Sequence, residues 1–400
     1  MGKPHILYIS YDGMLEPLGQ SQVLAYLERL SGDYCIHLMS YEKRSDWQDR
    51  PRRKEIADRI ANAGITWHPL RYHKRPTAPA TAFDIMIGTA TAVALAARYR
   101  VSIVHARSYV AAMIGLAVKA ATGAKFLFDM RGLWADERVD AGLWSREGGL
   151  YRFAKRMERR YLQAADQVVT LTRASQREIA SFPYLAARAP AIAVIPTCAD
   201  LDRFSRSDGP EGPYTFGFVG AAGTWSLIEE VIALYAAVRV RVPEARLLIV
   251  NRGEHELIRE RLGAQGVDPA AVELTEATHA EVPALVSRMH VAAAVRKPAY
   301  SQVACAPTKL AEYLGCGVPC VVNRGVGDVV EIVTQDRVGV VLEGFTDRDR
   351  AAAADSLIAL SREPDIRQRC VESARRRFSL EDGVAVYDAI YRSLSGGDAM

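Results

Sequence analysis

The sequence predicts an α/β protein built from two doubly wound halves, each with a parallel sheet. Three observations carry this. The chain opens on an apolar run, His5-Ile6-Leu7-Tyr8-Ile9-Ser10, followed by a glycine-bearing loop and an amphipathic helix. That order is the usual start of a doubly wound sheet, whose ligands sit beyond the strand C-termini. From Thr215 the same order of strand, small-residue loop and helix restarts. Late in the chain, Cys320-Val321-Val322 is too apolar for a half-exposed strand and belongs inside a parallel sheet.

Composition sets the bounds. Four hundred residues suffice for two or three domains with full cores. With 49% apolar and 24% charged residues, the composition is ordinary for a globular protein. The net charge of +4 is mild but unevenly spread, with basic clusters over residues 43–75 and 146–160. An anionic partner should therefore meet the first half, as a membrane surface or a phosphate. No nucleic-acid motif accompanies the charge, which disfavours nucleic acid. The six cysteines make no CxxC and no zinc spacing, so no metal is expected. Cys316 and Cys320 read as small core residues. The first strand begins at once without a signal peptide. The uncharged apolar run Ile85 to Ala97 is too short to span a bilayer. These features together predict a cytoplasmic protein.

Taken in order, the first strand leads into a loop from Tyr11 to Ser21 holding Gly13 and Gly19. A helix follows through Val23, Leu24, Leu27 and Leu30. The loop lacks GxGxxG, which disfavours a dinucleotide. Further strands are expected at Cys35 to Ser40, Ile65 to Pro69, Ile103 to His105 and Lys125 to Asp129. His105, Asp129 and Arg131 thus fall at strand C-termini, where such sheets place their chemistry. The alternative for His105 is a structural histidine, and for Asp129 and Arg131 a salt bridge holding the loop. Asp136, Glu137, Arg138 and Asp140 read as a solvated face in preference to acceptor contacts. Leu150, Phe153, Met157 and Tyr161 mark one face of a helix whose other face is basic. Such a helix suits an anionic membrane interface or packing on its own domain. Gln167 to Leu171 and Ile192 to Pro196 complete the first sheet.

The segment from Asp200 to residue 213 is the one convincing linker. The expected division is 1–200, linker 201–213, a second domain 214–379 and a final helix within 380–400. In the second half, strand Thr215 to Val219 leads into Gly220-Ala221-Ala222-Gly223-Thr224-Trp225, whose small residues allow close approach to a ligand. Helix 226–241 and strand Arg246 to Val250 follow.

The densest stretch runs from Arg296 to Asp328. Pro307 suits a first helical turn, Leu310, Tyr313 and Leu314 give an apolar face, and Gly315 and Gly317 stop the helix. A helix start after a loop is an anion site, because free N–H groups and the helix dipole face outward. Thr308 and Lys309 stand at that start, with Glu312 one turn on. Cations for phosphate and a carboxylate for ribose suit a nucleoside diphosphate. An ordinary surface helix with a Lys–Glu pair at i, i+3 fits the spacing equally.

PTKLAEYLGCGVPCVV followed by GVGD resembles the C-terminal donor-binding motif of glycosyltransferase family 4, retaining enzymes of the GT-B fold. ILYISYDGMLEPLGQSQVLAYLERL, FDMRGLWADERVDAGLW and VIPTCADLDRF resemble stretches of a cell-wall, capsule and exopolysaccharide branch of that family. The resemblance implies two Rossmann-like domains facing across a cleft, with the helix Leu380 to Leu394 crossing back to the N-terminal domain. It implies a hexosyltransferase that moves a sugar from a UDP- or GDP-linked donor, with retention, to a glycan, lipid-linked or small-molecule acceptor. The donor is a co-substrate, and neither a metal nor a permanently bound cofactor is expected. Glu312 falls on the ribose-binding glutamate, and Gly220, Thr308, Lys309, Gly13 and Gly19 fall in cleft-facing loops. The family's first glutamate falls on Ala304, and the usual Arg and Lys after the Gly220 loop are absent before Arg239. Lys297, Lys309 and Arg296 are then the expected diphosphate cations, with Asp129 and Arg131 on the acceptor side. Peripheral attachment to the inner face of the plasma membrane is compatible with the basic clusters. The other readings are a sugar-nucleotide epimerase and a non-catalytic nucleotide-sugar-binding or assembly protein.

Overall fold

The structure, a computed structural model, describes residues 2–205, 209–278 and 280–396. It divides into two compact units, one of Met1–Ile195 with Leu380–Met400 and the other of Pro196–Ser379.

The first unit holds a seven-stranded sheet of β1 (His5–Ser10), β2 (Cys35–Glu42), β3 (Thr66–Arg71), β4 (Ile103–Arg107), β5 (Lys125–Asp129), β6 (Gln167–Thr170) and β7 (Ala191–Val194). The order is β3-β2-β1-β4-β5-β6-β7, and every pairing is parallel. The order reverses direction between β1 and β4, the topological switch point where such sheets open a crevice. The helix Leu380–Leu394 belongs to this unit and packs on the helix Ala25–Leu30.

The second unit repeats the plan with β8 (Thr215–Val219), β9 (Arg246–Val250), β10 (Val272–Thr275), β11 (Val291–Ala293), β12 (Cys320–Asn323) and β13 (Gly339–Leu342). Their order, β10-β9-β8-β11-β12-β13, puts the switch point between β8 and β11. Alternate residues of each strand enter opposite cores. Phe216, Phe218, Leu247 and Ile249 face one side, while Leu248, Val250, Ala292 and Val322 face the other. Burial on both faces is what makes these strands read as continuous apolar runs.

Three strands escape the sequence reading for physical reasons. β10 lies at the sheet edge with an exposed glutamate, β11 has only three residues, and β13 starts on a glycine. The glycine loop after β1 is also shorter than expected, since a helical turn starts at Pro17 and a π turn covers Gln20–Leu24. The uncharged run Ile85 to Ala97 is embedded in a longer helix, Thr77–Tyr99. By length and composition alone that helix is long enough to cross a membrane. Of the expected linker, residues 206–208 lie outside the described residues. Its first part is packed, with Phe204 buried in the second unit's core and Leu201 against it. All six cysteines are free thiols, and Cys316 and Cys320 are buried.

Candidate functional site

The second unit's switch point gathers the residues singled out around Lys309. The helix Thr308–Gly315 starts after Pro307, with no side-chain cap on its first turn. Its apolar face, Leu310, Ala311, Tyr313 and Leu314, is buried and sets the helix against the sheet. Tyr313 fixes the register by donating its hydroxyl to the Ala293 carbonyl and accepting from the Val219 N–H at 2.8 Å. The partly buried flank is left to Lys309 and Glu312.

Lys309 turns toward the end of β8. Its Nζ lies 4.2 Å from the centroid of the Phe218 ring. A Cβ on Gly220 would stand 3.3 Å from that Nζ, and Gly220 has φ +120°, a backbone state that glycine alone adopts without strain. Gly220 is therefore favoured by the turn, and its missing side chain leaves the lysine tip close to the backbone.

The loop after Gly220 is pinned from β9. Asn251 donates its Nδ2 to the Gly220 carbonyl at 3.0 Å and to Glu254 Oε2 at 2.8 Å. Glu254 Oε2 also accepts from the Ala222 N–H at 2.8 Å. From the other side, Ser226 bridges Arg296, and the Lys297 N–H donates to the Trp225 carbonyl at 3.0 Å. Arg296 is locked in turn. Its Nε donates to Gln302 Oε1 at 2.9 Å, and Asn323 both accepts from its N–H and donates to its carbonyl. Asn251, Glu254, Gln302 and Asn323 were not foreseen. Their one sequence signal is position, Asn323 closing a strand and Asn251 following one directly.

The electrostatics are unusual. Burial pushes the Lys309 ammonium down to about 7, and the charge on Arg296 adds to the effect. Burial pushes the Glu312 carboxyl up to about 7, against the attraction of Lys309 and Arg203. Neither makes an ion pair within 4.0 Å among the described residues, so the i, i+3 bridge of the alternative reading does not form. A cation and a carboxylate held apart and partly dehydrated beside the Gly220 turn make this the candidate ligand site. Lys297, by contrast, is exposed, and Arg296 is the cation that acts on Lys309. Thr308 lies at the helix start as expected, while Ala304 is buried in a short 3₁₀ turn.

In the first unit the strand ends carry a separate polar cluster. Asp129 is buried at the end of β5, where its Oδ2 accepts from the Tyr387 hydroxyl at 3.0 Å. Arg131 Nη1 lies 3.9 Å from Asp129 Oδ1, and His105 Nε2 3.6 Å from Oδ2. His105 Nδ1 and the Tyr391 hydroxyl are 2.7 Å apart. Burial alone would raise the Asp129 carboxyl, but Arg131 and His105 outweigh it and hold the acid below its usual range. His105 is pushed down by burial, against the pull of Asp129. Tyr387, on the helix Leu380–Leu394, thus covers the carboxylate. Arg131 keeps partial exposure and has φ +56°, as Ser108 has φ +69° at the neighbouring strand end. Strained non-glycine residues cluster where function constrains the backbone.

Gly13 and Gly19 are explained by packing. A Cβ on Gly19 would lie 2.1 Å from the Gly13 carbonyl oxygen, and one on Gly13 would lie 2.7 Å from Glu42 Oε2. Glu42 is itself bound to the Met14 and Leu15 N–H groups. Nearby, Arg107 reaches from β4 to Asp12 at 3.0 Å and closes the unit's switch point.

Comparison with known proteins agrees with this architecture. The family described as "Glycosyl transferase 4-like domain" matches residues 22–198, and "Glycosyl transferases group 1" matches residues 202–377. Among solved structures, sucrose-phosphate synthase from Thermosynechococcus elongatus superposes with a TM-score of 0.74 at 15% identity, over 99% of this chain and 100% of that one. A glycosyltransferase from Rickettsia africae gives 0.72 at 14% identity over 100% of both chains. Anabaena HepE in complex with UDP and glucose gives 0.66 at 15% identity, over 97% of this chain and 99% of that one. No curated protein matches the chain in sequence. Two matched halves in order, on paired Rossmann-like sheets, leave one assignment: the chain belongs to the family 4 glycosyltransferases, enzymes of glycosyl transfer built on the GT-B fold.

Proposed function

We propose that the enzyme takes its sugar from a nucleoside-diphosphate sugar held at the Lys309 site of the second unit. The observation that carries this is the separated Lys309–Glu312 pair, both titrating at about 7 beside the Gly220 turn. A diphosphate would restore to Lys309 the counter-charge that burial removes, and a ribose diol would satisfy Glu312. The chemistry needs a stabilised leaving diphosphate, so preorganised cations and helix N–H groups are its natural catalysts. Lys309 and Arg296 are assigned that role, with Thr308 N–H at the helix start and Lys297 as an outer cation. The solved Anabaena HepE structures hold UDP and UDP-glucose, which supports a UDP-linked donor over a GDP-linked one.

We further propose transfer with retention and without a metal ion, to a glycan, lipid-linked or small-molecule acceptor approached through Arg131. The setting would be polysaccharide assembly at the inner face of the plasma membrane. The helix Gly149–Ala164 supports that setting in part. Its Met157 and Tyr161 are buried, but Leu150 and Phe153 are half exposed beside a basic face.

The test is a thermal-shift screen of UDP- and GDP-sugars, followed by nucleotide release with an acceptor extract in the presence of EDTA. Stabilisation by one nucleotide series and EDTA-resistant turnover are expected. Lack of stabilisation by any nucleotide would refute the donor assignment.

A further inference from the structure

The helix Thr77–Tyr99 has an outward face that the enzyme's chemistry does not use. Between Thr77 and Ala97 its one charged residue is Asp84, and Asp84 is buried. Asp84 accepts from the Tyr11 hydroxyl at 2.8 Å and the His73 N–H at 3.0 Å, which turns it into the domain. Gly88, Ala92 and Ala96 follow on the same inward face, and a Cβ on Gly88 would collide with the Tyr41 hydroxyl. The opposite face carries Phe83, Met86 and Ile87, exposed by 47%, 58% and 41%. These are large apolar side chains one helical turn apart, on a helix of which only 28% of the most apolar stretch is buried.

Length and composition alone would allow this helix to cross a bilayer. Packing forbids it, because a helix with one face locked by Asp84 and Gly88 cannot leave its domain. A surface contact remains. Arg71, Lys74 and Arg75 are exposed immediately before the helix and stand at the end where Phe83 lies. An apolar strip with cations at its border is complementary to an anionic lipid surface, with acyl chains for the strip and headgroups for the cations.

We propose that Phe83, Met86 and Ile87 seat the first unit on an anionic bilayer, with Arg71, Lys74 and Arg75 at the headgroups. The helix lies in the interface plane. The proposal rests on the membrane setting proposed above and is independent of the donor assignment, since none of these residues belongs to the Lys309 site.

The experiment is flotation of the full chain with phosphatidylglycerol-containing vesicles and with pure phosphatidylcholine vesicles, at low and high salt. Light scattering gives the oligomeric state in parallel. Expected are binding to anionic vesicles, weakening in high salt, and at least about a tenfold loss of partitioning in Met86→Gln/Ile87→Gln. Both positions are exposed, so the double variant should keep the wild-type melting temperature and nucleotide affinity. Three results would each overturn the proposal: no binding to anionic vesicles, binding unchanged in the double variant, or a dimer that the double variant dissolves. The last would make the strip an interface between copies of this chain. Nucleotide affinity in the same preparations reports separately on the donor assignment.

Discussion

The Lys309 ammonium lies 4.2 Å from the centre of the Phe218 ring, beside Gly220 at the end of β8. An aromatic face attracts a cation without neutralising it. The lysine is therefore held in place while its charge remains available, at a site where burial brings its titration to about 7.

This arrangement predicts a bell-shaped pH dependence for donor affinity. The competent site has Lys309 charged, which requires pH below about 7, and Glu312 ionised, which requires pH above about 7. Affinity for a nucleoside-diphosphate sugar should peak near neutrality and fall on both sides. Lys309→Arg should remove the alkaline limb, since guanidinium stays charged, and Glu312→Gln should remove the acid limb. Calorimetric titration from pH 5.5 to 8.5 checks this, and limbs that survive both substitutions would assign the titration elsewhere.

Glu312→Gln should also weaken binding at its optimum. A charged hydrogen bond to a ribose hydroxyl contributes roughly 1.5–3 kcal/mol, about tenfold or more in the dissociation constant. Because the carboxylate is partly buried without an ion pair, the apo enzyme should not lose stability in this variant. Unchanged affinity for UDP would remove Glu312 from the nucleotide site.

Arg296 and Lys297 are adjacent in sequence and unequal in surroundings. Arg296 is fixed by Gln302 and Asn323, and its charge reaches Lys309. Lys297 is exposed on the loop. Loss of one preorganised cation from a developing diphosphate charge costs roughly 2.7–4 kcal/mol of barrier, about a hundredfold or more in turnover. Lys309→Ala and Arg296→Ala should reach that loss at saturating donor, and Lys297→Ala should fall well short of it. Equal losses at 296 and 297 would restore Lys297 to the clamp.

The fold was legible because its strands are buried on both faces and read as apolar runs, and because each half opens on the same strand–loop–helix order. The helix start at Thr308 was legible through Pro307 and the Leu310, Tyr313, Leu314 face. Asn251 and Glu254 were not, since Asn-Arg-Gly-Glu reads as an ordinary turn until β8 lies beside β9. Asp129 was visible as a strand end, but its cover was not. The covering Tyr387 is 258 residues away, and no local pattern announces that pairing.

That cover gives the last prediction. Asp129 is an acid with almost no exposure, held below its usual range, and its partners are Tyr387, Arg131 and His105. Among the described residues, its Oδ1 accepts no hydrogen bond, so the Tyr387 hydroxyl is a donor the carboxylate can ill spare. Tyr387→Phe keeps the ring and its edge contact with Tyr26 while deleting the donor. A buried carboxylate that loses a partner should cost roughly 1–3 kcal/mol. For a unit of this size that corresponds to a melting temperature lower by about 2–4 °C per kcal/mol. Asp129→Asn should be destabilising as well, because it replaces the charge that balances Arg131. The double variant should cost less than the sum, since the two groups share one interaction. If Asp129 instead acts on the acceptor, Tyr387→Phe would leave stability untouched while Asp129→Asn lowered turnover at temperatures well below unfolding. Thermal denaturation of the three variants, with turnover measured at a temperature where all are folded, separates the two roles.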